Sequence, residues 1–201
     1  NHADGSARFV FKGTAVLAGV FGPREGRAAI KASDESVITV NWNRGDGLSG
    51  SREKEYETIV RNILEAVVVR SQDPLCVIEV SLQAVTESGG SLSAAINAAV
   101  VAVIDAGVAV EGLCAAVTVA LMHDGSILLD PTSGEEGSAR GVMTVTLRGH
   151  DHALLSSVVS GKVGEEELLT AIEAAGDAVS TVLTFIRMAV EKRLEKEQRC
   201  W

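Results

Sequence analysis

The stretch Leu82-Gln83-Ala84-Val85-Thr86-Glu87-Ser88-Gly89-Gly90-Ser91-Leu92-Ser93-Ala94-Ala95-Ile96-Asn97 decides the architecture of this 201-residue chain. It reads as the end of a strand, a glycine turn and the start of a helix. Upstream, Leu75 to Val85 alternates, with Cys76, Ile78, Val80, Leu82 and Ala84 on one face and Glu79, Ser81 and Gln83 on the other. That period of two marks a half-buried strand. Downstream, Leu92, Ala95, Ile96, Ala99, Val100, Val103 and Ile104 recur at helical spacing over Ser91 to Ala106, and Gly107 supplies the stop. A strand that feeds a glycine turn and a helix N-terminus offers backbone N–H groups to an anion. Yet the first helical turn carries no Lys or Arg, and Leu92 in it cannot bind an anion. The competing reading is a tight strand-to-helix connection with Ser91 as N-cap.

Composition narrows the classes. Hydrophobic residues make up 46% of the chain, which argues against disorder, and the length suits one large domain or two small halves. Leu92 to Val110 is apolar enough to raise a membrane span, but Asn97 and Asp105 interrupt it and Ala dominates, so a buried helix is expected. No signal peptide is visible, and with no initial Met a trimmed or processed N-terminus is expected. A net charge of −9 gives no overall attraction to nucleic acid, so RNA contact needs a local basic patch. At 3% aromatics a base-stacking platform is not expected. Cys76, Cys114 and Cys200 lack metal-like spacing, and the first two sit in apolar strands as small core residues of a reducing compartment.

Working outward, Ala7 to Lys12 and Ala15 to Phe21 read as a hairpin around Gly13-Thr14, Val37 to Trp42 as a strand, and Arg44 to Ser51 as a glycine-rich loop. Arg52 to Arg70 reads as a helix with Tyr56, Ile59, Val60, Ile63 and Val67 on one face. Leu113 to Met122 and Ser126 to Leu129 form a hairpin about Asp124-Gly125. Val142 to Leu147 and Ala153 to Ser160 follow as strands. Glu165 to Lys196 is a long helix with the stripe Leu168, Ile172, Ala175, Val179, Val182, Ile186, Val190 and Leu194, ending in a charged, solvated segment over 191–201. No linker interrupts the chain, so 1–201 is read as a single α+β domain with helices packed on sheets.

Four constellations carry candidate chemistry. The Gly89-Gly90-Ser91 turn is the first. Asp130, Glu135 and Glu136 could hold a divalent metal, or form an acidic turn around Asp130-Pro131-Thr132-Ser133-Gly134. His150-Asp151-His152 lacks a third ligand nearby and reads as a polar loop; His123 marks the hairpin turn. Arg24, Arg27, Lys31, Arg44 and Arg52 form a basic series that is either solvated surface or an RNA-backbone contact, with Arg52 the best single candidate.

These residues resemble the RNase PH family. Thr14 to Pro23 is similar to its first hairpin, Ser81 to Val108 to its central strand, glycine turn and helix, and Asp124 to Thr132 to the hairpin before its catalytic loop. The likeness covers Asp4 to about Val190 and, within the family, points to the ring subunits of the eukaryotic RNA exosome. It implies an RNase PH-like fold of the ribosomal protein S5 domain 2 type, with mixed sheets packed with helices. Active members attack RNA 3′ ends with phosphate, held by an Arg just after the glycine turn; the matching residue here is Leu92. They also carry two Asp residues after the hairpin. The first matches Glu136, and the second falls near Arg140 or Gly141, where there is no carboxylate. Arg52 matches an Arg that active members share. The resemblance therefore implies degenerate active-site positions at Gly90, Ser91, Leu92, Asp130 and Glu136, no catalytic residue, no cofactor and no resident metal. It implies weak RNA contacts through Arg52, Arg44 and Arg24, and partner subunits in a six-membered ring around an RNA channel. It further implies a homodimer when the chain is isolated, and placement in nucleus, nucleolus and cytoplasm. The rival readings are a phosphorolytic or metal-dependent 3′-exoribonuclease and an RNA-binding module acting alone.

Overall fold

The computed structural model describes residues 2–25, 35–44 and 50–198, with Arg44 and Glu197 described by backbone alone. Arg27, Lys31, Cys200 and most of the glycine-rich loop lie outside the described residues. The chain order is β1 (Gly5–Phe11), β2 (Thr14–Glu25), β3 (Val37–Arg44), α1 (Ser51–Val67), β4 (Cys76–Thr86) and α2 (Ser91–Asp105), followed by β5 (Cys114–Leu121), β6 (Ile127–Leu129), α3 (Ser133–Ser138), β7 (Gly141–Arg148), β8 (Leu154–Gly161) and α4 (Glu165–Gln198). The strands form two four-stranded sheets, ordered β1-β2-β4-β3 and β6-β5-β7-β8. Among the described residues only the β3–β4 pairing is parallel.

The expected alternation of β4 holds: Ile78, Val80, Leu82 and Ala84 are buried while Glu79 and Gln83 are exposed. Cys76, at the start, is only half buried. The first turn falls one residue earlier than expected, at Lys12-Gly13, because Thr14 already pairs with Phe11. The second hairpin turns at Gly125, with φ +84, and the Asp124 carboxylate accepts the N–H and hydroxyl of Ser126.

The helix α2 departs most from its expected form. A one-sided stripe was expected, but Leu92 to Val100 are buried without a break, as are Ala102 and Val103. The reason is position: α2 packs on β1 and β2 of one sheet and on β5 of the other. A helix sandwiched this way buries its whole girth, and the many alanines keep both sheets within reach. Its buried polar residues must then find partners. Asn97 does so on β5. Its Nδ2 donates to the Ala116 carbonyl at 2.9 Å, and the Ala116 N–H donates to Oδ1 at 2.8 Å. The short β6 reaches only Val119 to Leu121, so the amide stands in for the missing neighbour strand. One turn earlier, Thr118 donates to Ser93 Oγ at 2.9 Å, Ser93 donates to the Gly90 carbonyl at 2.9 Å, and Thr118 and Thr144 hydroxyls meet at 3.2 Å.

The long helix α4 lies on β5 and β7 through Ala171, Ala175, Val179, Leu183 and Ile186. Compared with the expected stripe, Ala171 and Leu183 join it, Leu168, Ile172, Val182 and Val190 flank it, and Leu194 is exposed. The stripe precesses because 3.6 residues per turn do not match a fixed spacing over so long a helix. Glu165–Lys196 is long and apolar enough to cross a membrane by length and composition; here its apolar side covers a sheet. Cys114 is buried, which pushes its thiol up to about 12 and leaves it an inert core residue.

Asn97→Ala should cost about 2–4 kcal/mol, since it strands one donor and one acceptor of β5 in an apolar interior at roughly 1–3 kcal/mol each. Urea unfolding of wild type and variant measures this. A loss under about 1 kcal/mol would show that water substitutes for the amide.

Candidate nucleic-acid cleft at the glycine turn

Three segments meet where α2 begins. Thr14 is buried and holds the turn from below: its hydroxyl donates to the Gly89 carbonyl and accepts the Ser88 N–H at 2.9 Å. From the other side, the Ser133 N–H donates to the Ser88 carbonyl at 2.8 Å. Gly89 has φ +104, and a Cβ there would sit 2.4 Å from the Pro131 carbonyl oxygen, so only glycine fits. Gly90, with φ +61, is the N-cap of α2. The expectation of Ser91 as N-cap is therefore corrected: Ser91 is the first helical residue, and no side chain caps the helix. The Gly90 N–H instead donates to Glu136 Oε1 at 2.7 Å.

Beside this turn is a cleft of about 480 Å³. Arg52 and Tyr56 of α1 face Val158 to Ser160 of β8 across it, Thr118, Val142 and Thr144 line its depth, and Gly90 to Leu92 and Glu136 complete the lining. The Arg52 Nε donates to Tyr56 Oη at 2.8 Å, and its guanidinium stands 5.3 Å from the Tyr56 ring centroid. Tyr56 packs edge-on against buried Trp42, centroids 5.4 Å apart. The hydrogen bond to Tyr56 raises the Arg52 pKa, and the fields of Glu87 and Glu136 act the same way. Burial raises the Tyr56 pKa. The expected RNA-contact group is not gathered here. Arg24 sits at the far end of β2, paired with Asp4 at 3.1 Å and 5.4 Å from the Phe21 ring centroid, and the Arg44 side chain lies outside the described residues. Among the described side chains, Arg52 is the one of the group at the cleft.

The acidic trio separates into three roles. Asp130, at φ +52, accepts Lys12 Nζ on its carbonyl and donates its N–H to the Thr118 carbonyl at 2.7 Å; burial raises its carboxyl pKa. Glu135 accepts the Thr132 N–H at 2.6 Å and hydroxyl at 2.9 Å, a capping box for α3 that lowers its pKa. Glu136 binds the glycine turn. The segment read as an acidic turn is thus a short helix whose carboxylates diverge, and among the described residues no three His, Cys, Asp or Glu are grouped to hold a metal. Where a second acid was expected, Arg140 pairs with Glu167 and a Cβ on Gly141 would meet Val163. The residue of that segment facing the cleft is Val142. Leu92 is 4% exposed, committed to the core. His150, Asp151 and His152 form the β7–β8 turn, where Asp151 accepts the Ala153 N–H at 3.1 Å. Sequence reasoning did not assign Tyr56, Thr118, Thr144 or Val142 to the cleft. Of these only Tyr56 had a signal, its i+4 spacing from Arg52.

Two sheets thus share one buried helix, with a glycine turn at its head and a cleft beside it. The chain belongs to the 3′ exoribonuclease family, whose domain 1 matches residues 1–109 and whose domain 2 matches residues 112–178. It is similar to the protein named exosome complex exonuclease RRP46 homolog of Oryza sativa subsp. japonica, 28% identical over 209 residues, spanning 96% of this chain and 88% of that one. The exosome complex component RRP46 of Saccharomyces cerevisiae is 27% identical over 208 residues, spanning 96% and 93%. Among solved structures, rice Rrp46 superimposes with a TM-score of 0.88 at 30% identity, covering 95% of this chain and 90% of that one. An archaeal exosome core shares the fold, with a TM-score of 0.77 at 21% identity over 92% and 82%.

Asp130 yields a pH test. A carboxyl whose pKa is raised on folding holds more protons in the folded state, so it subtracts stability as pH rises above its unfolded value. Asp130→Asn should melt at or above the wild-type temperature at pH 7, and the advantage should vanish as pH falls below the ordinary value of 3.8. A variant less stable than wild type at pH 7 but equal at pH 3 would show that the attraction to Lys12 outweighs burial.

Proposed function

We propose that this chain is a non-catalytic RNase PH-like ring subunit of the RNA exosome core, with a structural role in 3′-to-5′ RNA processing and degradation. Its two halves act as one unit, and its exosome type is that of exosome component five and the RRP46 relatives. The observation that carries the reading is the cleft itself: Leu92 is in the core, Val142 is part of the lining, and the Glu136 carboxylate is bound to the Gly90 N–H. Groups that act as a unit leave little chemistry when several are replaced. The ring role draws support from the named relatives and from apolar side chains left in water. Leu154 and Val159 on the edge strand β8, and Phe185 and Met188 on α4, are each more than 40% exposed. We place the assembled subunit in nucleus, nucleolus and cytoplasm, with neighbouring RNase PH-like subunits as partners in a six-membered ring. Isolated, it pairs with a second copy.

The rival reading, a phosphorolytic or metal-dependent 3′-exoribonuclease, rests on the family and on the word exonuclease in relatives' names. Incubating the pure chain with 3′-tailed RNA, phosphate and Mg²⁺ separates the two. No nucleoside diphosphate should appear, and Leu92→Arg alone should not produce any. Release that Glu136→Ala abolishes would establish the enzyme.

Arg52 is the proposed RNA contact, acting on phosphates rather than bases. Arg52→Ala in the assembled complex should weaken single-stranded RNA binding and reduce the salt slope by about 0.7. Unchanged affinity and slope across a salt series would remove Arg52 from the RNA path.

A further inference from the structure

The two features of the cleft that attract negative charge converge on one side chain of the protein. One is the head of α2, where Gly90 to Leu92 line the cleft and no side chain caps the helix. Such a helix end carries partial positive charge on unpaired N–H groups. The other is Arg52, the only cation among the described residues lining the cleft. Glu136 meets both: its Oε1 takes the Gly90 N–H at 2.7 Å, and its charge acts on the Arg52 guanidinium.

The carboxylate is delivered on a short, fixed tether. It rides on α3, whose start is held by the Thr132–Glu135 capping box. The backbone just before α3 is bonded to the glycine turn through Ser133 and Ser88, and Gly89 lies against Pro131 and Thr132 too closely for a side chain. A group tethered this tightly competes at a high effective concentration with any free ligand. A phosphate entering the cleft would lose the Gly90 N–H and face the repulsion of Glu136 and Glu55 at short range.

We infer that Glu136 is an internal anion that shuts this cleft to inorganic phosphate and other free oxyanions. This rests on the non-catalytic reading and gives it a physical cause beyond the loss of individual catalytic groups: the anion-attracting end of the cleft is filled from within.

The test uses the full chain, ¹⁵N-labelled, titrated with sodium phosphate at constant ionic strength. The Gly90 and Ser91 amide resonances are followed in wild type, Glu136→Ala and Glu136→Gln, with sodium chloride as control. In wild type these amides should not respond. In Glu136→Ala they should shift saturably with phosphate, with affinity gained about tenfold, the removal of about 1.4 kcal/mol of like-charge repulsion. Glu136→Gln keeps the side-chain volume, serves if the alanine variant fails to fold, and should gain a smaller response. A saturable wild-type shift equal to that of the variants overturns the inference, and so does the absence of any shift in folded variants. Nucleoside diphosphate release by wild type would instead overturn the non-catalytic reading.

Discussion

The bidentate bond between the Asn97 amide and the Ala116 backbone is the constraint from which the rest of the structure follows. A helix buried between two sheets has no solvent face on which to leave a polar group, and an unpaired strand edge in the same interior is equally costly. Asn97 and Ala116 remove both problems with one pair of hydrogen bonds. They also fix the height of α2 relative to β5. With that set, Ser93 meets Thr118 one turn earlier, Thr118 meets Thr144, and the head of the helix stands beside the turn after β6. The cleft is a consequence of this register. Its floor residues, Thr118 and Thr144, are part of the same hydroxyl chain that docks the helix.

Charge in the cleft is compensated internally. Arg52 lies against Tyr56, which is itself held by Trp42, so the guanidinium has a fixed position without a salt bridge to a carboxylate among the described residues. Glu87 and Glu136 act on it through space. Glu135, which could have joined Glu136 as a second acid, is bound to Thr132. A sequence with three carboxylates in seven positions thus yields one acid in the cleft, one helix cap and one partly buried group next to Lys12.

Much of the fold is visible in the sequence because it is periodic. The alternation through Ile78, Val80 and Leu82 and the repeat through Ala175, Val179 and Ile186 survive folding unchanged in kind. The all-round burial of α2 was less accessible, because alanine is compatible with both an exposed and a buried face and only the second sheet decides. The six-residue α3 was missed because Gly134 and Gly137 weaken its helical propensity, although Thr132 and Glu135 spell its capping box. The site was legible in its members and not in its connections. Arg52 and Tyr56 are four apart and their contact could be read. Glu136 and Gly90 are 46 positions apart, and Lys12 and Asp130 are 118 apart. No local pattern reports such contacts. Val142 illustrates the same limit, since only the strand's actual phase shows that it, rather than Arg140 or Gly141, lines the cleft.

The glycine turn is a motif whose form the fold itself requires. Gly89 is required by the Pro131 carbonyl 2.4 Å from where its Cβ would be, and its positive φ turns the chain from β4 into α2. Gly90 is left-handed at the helix N-cap, where a side chain would be strained. Thr14 is bonded to this turn from another sheet strand. None of these interactions involves a ligand. Each would be selected by folding alone, because the turn joins the two sheets through the helix they share. A turn of this kind is structurally obligatory whether or not an anion binds beside it. Its Gly90 N–H is satisfied within the chain, by the Glu136 carboxylate at 2.7 Å. Glu136 reaches it because the backbone before α3 is tied to the turn through Ser133 and Ser88.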